Sequence, residues 1–155
     1  MSAAVPSRVP WPPILLVATV AAGWIAQSCL PVAWPMGLNP AALSAGIPLI
    51  VLALAIIGWA GLEMNRANTT ILPNAAATTL VATGPFHFSR NPIYVADCLV
   101  LIGLALVLQK PWIGLLVPAF IGLVTWLAIS PEEHHLELTF GQAYRDYKLC
   151  TRRWL

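Results

Sequence analysis

Charge is what this chain has least of. Charged side chains make up 9% of its 155 residues, where an ordinary soluble domain carries about 25%. None occurs between Arg8 and Glu63. A water-soluble fold cannot hide so long an apolar stretch, so lipid must be the solvent for much of the chain. Basic runs with interleaved aromatics are also missing, and the net charge is only +2. That excludes nucleic acid as a partner. Cysteine is sparse: Cys29, Cys98 and Cys150 are far apart, and no pair has metal-ligand or redox spacing. All three histidines lie outside the apolar runs, which excludes a haem bundle with axial ligands in its spans. There is no phosphate-cradling glycine loop and no Gly-x-Ser-x-Gly elbow. Internal repeats are absent too.

What is there is apolar: 59% hydrophobic residues, with a mean hydropathy of +0.78. The apolar residues fall in four runs, at about 12–30, 41–62, 92–109 and 112–130. Each is near the ~17–25 residues that cross a hydrocarbon core as helix. The expected fold is therefore an all-α integral membrane domain of four transmembrane helices spanning 1–155. Arg8 before the first run resembles a signal-peptide start, but Gln27 is not small, so Ala26-Gln27-Ser28-Cys29 is a poor cleavage site. Lys110-Pro111 leaves room only for a tight turn, so runs three and four form a helical hairpin. Pro48 and Pro118 are expected to kink runs two and four. With four spans both termini share one side. Arg8, Arg66, Arg90, Arg145, Lys148, Arg152 and Arg153 fall on that side and only Lys110 on the other. The asymmetry puts the termini and the middle loop in the cytoplasm.

Two polar segments remain, the loop 63–91 and the tail 131–155. Asn91-Pro92 reads as a helix start, Asn capping and Pro at the first helical position. Arg90, beside Phe86, Phe88 and Tyr94, admits two readings, a lipid-phosphate contact or a site residue. Asp97 is the one ionisable residue well inside a span, one turn beyond Tyr94 on the same face. It either bonds a neighbouring helix or takes part in chemistry. In the tail, Pro131 suits the start of a new amphipathic helix, with Glu132 and Glu133 at its positive end. Leu136, Phe140, Ala143, Tyr144 and Tyr147 share one face of that helix, and the two acids flank it. His134 and His135 are adjacent in sequence and cannot share a helical face as metal ligands spaced by four can.

These residues resemble a family. Thr79-Leu80-Val81-Ala82-Thr83-Gly84-Pro85-Phe86 and Ser89-Arg90-Asn91-Pro92-Ile93-Tyr94 look like the first cofactor motif of the isoprenylcysteine carboxyl methyltransferase-like membrane enzymes, which in turn resemble the phospholipid methyltransferases. Glu132-Glu133, Leu136, Phe140-Gly141, Tyr144, Tyr147 and Arg153-Trp154 look like the second. The segment from Arg66 to Pro73, with Asn68-Thr69-Thr70, is similar to bacterial members. The resemblance covers about 63–155. It implies S-adenosylmethionine as cofactor, with Thr79, Leu80 and Val81 lining its pocket and Phe86 and Tyr94 against the adenosyl part. Asn91 and Pro92 stand in for a His-Pro pair, and Glu132 binds the α-amino group. Eukaryotic members carry an Arg four residues before the equivalent of Glu132, where this chain has Ala128; Arg152 or Arg153 is the candidate replacement as an anion binder.

The chemistry of the residues is compatible. A zwitterionic cofactor needs a carboxylate for its ammonium, which Glu132 supplies, and donors for its carboxylate, which Arg90, Asn91 and a helix N-terminus supply. The expected activity is methyl transfer to a lipid-like or small amphiphilic acceptor at the cytoplasmic face of a bacterial inner membrane. A carboxylate acceptor needs no base, whereas an amine needs one, and Asp97 and Glu133 are the candidates. A phospholipid amine methyltransferase and a non-catalytic membrane subunit are the rival readings. Oligomeric state is not legible.

Overall fold

A computed structural model describes residues 10–34, 40–67 and 79–155. Arg8 and the Asn68-Thr69-Thr70 to Pro73 segment lie outside the described residues. The described residues are almost all helical. The helices are α1 (Trp11–Cys29), α2 (Pro40–Arg66), α3 (Pro92–Val107), α4 (Pro111–Leu115), α5 (Val117–Val124), α6 (Ser130–Phe140) and α7 (Gln142–Cys150). A 3₁₀ turn covers Gly84–His87. A π-helical segment, Thr125–Ile129, joins α5 to α6.

Three apolar stretches are long enough to cross a membrane: Trp11–Cys29, Ala42–Arg66 and Pro111–Phe140. The third predicted span is the shorter apolar helix α3, of 16 residues. α3 sits at the centre. α2 packs along it, and α1, α4 and α5 pack on its other sides. The core gathers Leu15 of α1, Tyr94, Leu101 and Ala105 of α3, and Ile113, Phe120, Val124 and Ile129 of the last rod. By contrast Val51 and Leu54 of α2 are each 59% exposed, and Trp126 is 71% exposed, as side chains facing lipid should be. α2 and α3 approach closely at two glycines. A Cβ on Gly46 would lie 2.8 Å from the Gly103 carbonyl oxygen, and one on Gly103 would lie 2.6 Å from Ile50. Small residues at such crossings let backbones pack where lipid supplies no hydrophobic drive.

Several expectations need correction. α2 runs to Arg66, so Glu63 is helical and not part of the loop; Glu63 and Arg66 form an i,i+3 ion pair at 2.8 Å. α2 also passes through Pro48 without a break, whereas Pro118 follows a break at Leu116. Pro131 does lie in the first turn of α6 with Glu132 and Glu133, as expected, but α6 is not separate from span four: the rod continues from α5 through the π segment into it. Nor is the tail one amphipathic helix. The chain turns at Gly141, with φ +55°, a conformation that glycine takes without steric penalty. Ala143 is therefore exposed while Tyr144 is buried, and the predicted common face divides. The hairpin turn after α3 ends in a Schellman motif. Lys110 N–H bonds the Ala105 carbonyl at 3.0 Å and Gln109 N–H bonds that of Leu106 at 3.2 Å. Gln109 occupies the left-handed position, φ +51°, where glycine is usual.

Candidate active site

The described part of the loop before α3, residues 79–91, is held from two sides. Gly84 takes φ +59°, and a Cβ there would lie 2.5 Å from Cγ of Glu63. Thr83 Oγ1 donates to Glu63 Oε2 at 2.9 Å, which fixes the start of the 3₁₀ turn on the end of α2. The rest of the loop is tied to the C-terminal segment. Tyr147 Oη donates to the Phe86 carbonyl at 2.6 Å. Thr151 Oγ1 donates to that of His87 at 3.4 Å. Arg90 N–H bonds the Arg152 carbonyl at 2.9 Å. The Arg153 carbonyl accepts from Asn91 Nδ2 at 2.9 Å and from Ser89 Oγ at 3.3 Å. Ser89 Oγ in turn accepts the Asn91 N–H at 3.1 Å.

Asn91 therefore does not cap α3 with its side chain, as the Asn-Pro pair implied. Its amide reaches across to the tail instead, and Pro92 alone provides the helix-start chemistry. A lipid-phosphate role for Arg90 also fails. Its side chain is only 11% exposed and turns inward to Glu133, Nη1 to Oε1 at 3.1 Å. The same carboxylate takes a two-pronged contact from Arg153, Nε to Oε1 at 3.1 Å and Nη2 to Oε2 at 2.6 Å. That contact holds the Arg153 guanidinium further in its charged form. One buried carboxylate thus faces two guanidinium groups. The pair with Arg153 uses its hydrogen-bonding directions, and Nε and Nη1 of Arg90 stay buried without a hydrogen-bond partner. Nη1 still faces the Glu133 carboxylate as an ion pair, so Nε is the donor left unmatched, at about 1–3 kcal/mol when nothing accepts from it.

Tyr144 is buried under this cluster. Burial, and then the Glu133 charge, push its hydroxyl up to about 12. Burial also raises that of Tyr147, so both rings are neutral hydrogen-bond donors at ordinary pH.

Glu132 points elsewhere. Consecutive residues on a helix diverge by about 100°. Glu132 accepts from Tyr94 Oη at 3.2 Å, and among the described residues no basic side chain pairs with it. The cluster therefore has two poles: an acid without a cation, and beside it a guanidinium without enough acceptors.

Of the residues expected at the site, Arg90, Asn91, Tyr94, Glu132 and Arg153 come together. Pro92 is buried beneath them at the first turn of α3. Phe86 is half-buried and joined to Tyr147 through its carbonyl. Thr79 is exposed, and Leu80 and Val81 are half-buried on the chain leading to Gly84, with no hydrogen bond among the described residues to the charged cluster. Arg153 is engaged by Glu133, whereas Arg152 is exposed and its guanidinium makes no ion pair among the described residues, so of the two Arg152 is the one left free to meet an anion. Ala128 is buried in the π segment. The sequence reading placed Ser89 in the first motif without giving it a role, and missed Thr151 and Glu63. Tyr147 and Thr151 are spaced i,i+4 and share a face, a signal that was present; the Glu63–Thr83 contact had none.

The phospholipid methyltransferase family model matches residues 41–143. A stretch of 44 residues, 28% of this chain, is 43% identical to an uncharacterised protein of Haemophilus influenzae and covers 67% of that protein. No solved structure matches. The matched residues include the loop that carries Arg90 and Asn91 and the helices that carry Tyr94, Glu132 and Glu133, and the chain belongs to the phospholipid methyltransferase family, a family of membrane methyltransferases.

Proposed function

We propose that this protein transfers a methyl group from S-adenosylmethionine to a lipid-like or small amphiphilic acceptor, at the cytoplasmic face of a bacterial inner membrane that its helices cross four times. The observation that carries the reading is the pair of unmatched poles. Among the described residues Glu132 has no cation, and Arg90 keeps a buried Nε without a hydrogen-bond partner while its Nη1 meets Glu133 only as an ion pair. An amino-acid zwitterion satisfies both, its ammonium at Glu132 and its carboxylate at Arg90, and the cofactor carries such a group. The residues therefore fit it.

The cofactor supplies a sulfonium methyl group that is electrophilic without further activation. The protein's part is binding, alignment and exclusion of water. Glu132 holds the ammonium through a charge-assisted contact, and Tyr94 keeps the carboxylate in place. Arg90 takes the carboxylate, and Glu133 with Arg153 keeps Arg90 positioned. Asn91 and Ser89 join the tail to the loop, so the cluster is rigid before anything binds. Leu80, Val81, Phe86 and Pro92 serve as apolar walls for the nucleoside part, with the hydroxyl-bearing Thr79 at its exposed edge. α3 carries its polar end to the membrane surface, where an acceptor enters sideways from the bilayer.

The test is transfer from cofactor labelled in its methyl group. Membranes containing the wild-type protein are expected to label a lipid-extractable product, and membranes containing Glu132→Gln to lose most of it. Label that stays with water-soluble compounds would exclude the lipid-like acceptor. No labelled product of any kind would favour a non-catalytic membrane subunit.

A further inference from the structure

Asp97 is a carboxylate inside α3 that the site described above does not use. It is 8% exposed, and among the described residues it makes no hydrogen bond and no ion pair. It lies five residues past Pro92, about 7.5 Å further along the helix axis. It also lies one turn beyond Tyr94, on the same face, so the order along that face is Glu132, Tyr94, Asp97. Tyr94 and the half-buried Cys98 both lie close enough to feel its charge, and neither neutralises it. An acid in a span with no partner is costly to the fold and marks a place that a ligand completes.

The other carboxylates of the region are engaged. Both oxygens of Glu133 bond Arg153, with Arg90 beside them. Glu132 faces the ammonium of the cofactor in the reading above, on which this inference rests. Asp97 is the remaining carboxylate. An acceptor that is itself an anion would be repelled there. A protonated amine is attracted, and it must lose a proton before its nitrogen can act as a nucleophile.

We infer that Asp97 is the acceptor-side residue of the site: it binds the cationic nitrogen of an amine-bearing amphiphile and takes one proton from it. The nitrogen lone pair then forms the N–CH₃ bond as the S–CH₃ bond breaks, and that electron pair stays on sulfur. The product nitrogen carries one methyl more and one hydrogen fewer, and the proton held by Asp97 passes to water.

The experiment uses the full chain purified in detergent, as wild type, Asp97→Asn and Asp97→Glu. S-adenosylhomocysteine is titrated first. A long-chain primary alkylamine is then titrated into the saturated protein, and transfer is measured with phosphatidylethanolamine vesicles, fatty-acid-doped vesicles and an alkanethiol. Asp97→Asn is expected to bind S-adenosylhomocysteine within about threefold of wild type, which also shows that it is folded. Its alkylamine affinity should fall at least tenfold, and its transfer to phosphatidylethanolamine by about 100-fold, with Asp97→Glu in between. Equal alkylamine affinity in wild type and Asp97→Asn overturns the inference, as does transfer to the fatty acid or the thiol with no labelled amine. Wild type that does not bind S-adenosylhomocysteine overturns the methyltransferase reading itself, and this inference with it. Should Asp97→Asn alone fail to bind it, the Asp97→Glu comparison decides: alkylamine affinity unchanged by that substitution overturns the inference.

Discussion

Glu132 and Glu133 are adjacent in the chain and the same in chemistry, yet their surroundings give them different work. Glu133 is 10% exposed in its side chain and neutralises Arg90 and Arg153. Removing its charge leaves two guanidinium groups facing each other, Arg90 deeply buried. Breaking a buried ion pair from one side costs about 3–5 kcal/mol. Glu133→Gln should therefore lower the thermal unfolding midpoint in detergent strongly, and no ligand should be needed to see it. Among the described residues Glu132 has only the Tyr94 hydroxyl, so Glu132→Gln should leave that midpoint almost unchanged in the absence of ligand. If the two variants are equally destabilised, the division of labour between them is wrong. The same logic applies to Tyr94. Tyr94→Phe removes one hydrogen bond to a charged group, about 1.5–3 kcal/mol, and should weaken S-adenosylhomocysteine binding by roughly tenfold or more with little effect on folding.

At the scale of elements, the site is a short loop held between the end of α2 and the last residues of the chain. Five contacts join Phe86, His87, Ser89, Arg90 and Asn91 to Tyr147 and to the backbone and side chains of Thr151, Arg152 and Arg153. A chain ending after Cys150 should insert normally and show its helices by circular dichroism, yet lose cofactor binding; binding by that truncated protein would contradict the role given to the tail. The hairpin turn offers a check on local structure. Gln109 pays the left-handed penalty of about 1 kcal/mol that glycine avoids. Gln109→Gly should raise the unfolding midpoint, and a lowered midpoint would mean the Schellman turn is not as described.

Local pattern made the helices legible, and long-range pairing made the site only partly so. The apolar runs are set by composition, so their positions could be read within a few residues, except that α2 continues through Glu63 because Glu63 and Arg66 support one more turn. The bend at Gly141 was misread because the tail has a helical period on both sides of it, and only the φ of +55° reveals the turn. Asn91 was misread because Asn before Pro is a good cap in isolation. Its actual acceptor is a carbonyl 62 residues away, which no local pattern encodes. Arg90, Glu132 and Arg153 were found through motifs, but the assignment of Arg90 and Arg153 to a single carboxylate required the fold.

For the whole molecule, the central expectation is that a polar layer sits on one membrane face with both termini. The natural cysteines test it without new mutations. Cys150 ends α7 beside the site, Cys29 ends α1 at the other end of the bundle, and both are exposed. A membrane-impermeant thiol reagent should label Cys150 from the cytoplasmic side only and Cys29 from the opposite side only. Labelling of both from one side would rule out the four-span topology. At the same scale, Gly46→Val or Gly103→Val would separate α2 from α3, since a Cβ already meets atoms within 2.8 Å at either position. Overpacking of this kind costs about 1–3 kcal/mol, and it should reduce the amount of folded protein recovered in detergent.

The most direct measurement is a calorimetric titration of S-adenosylmethionine and S-adenosylhomocysteine into the purified full chain, wild type beside Glu132→Ala. Saturable one-site binding by wild type, abolished by the substitution while the unfolding midpoint stays nearly constant, is the predicted result. Folded wild-type protein that binds neither compound, or a Glu132→Ala variant that binds as well as wild type, would contradict it.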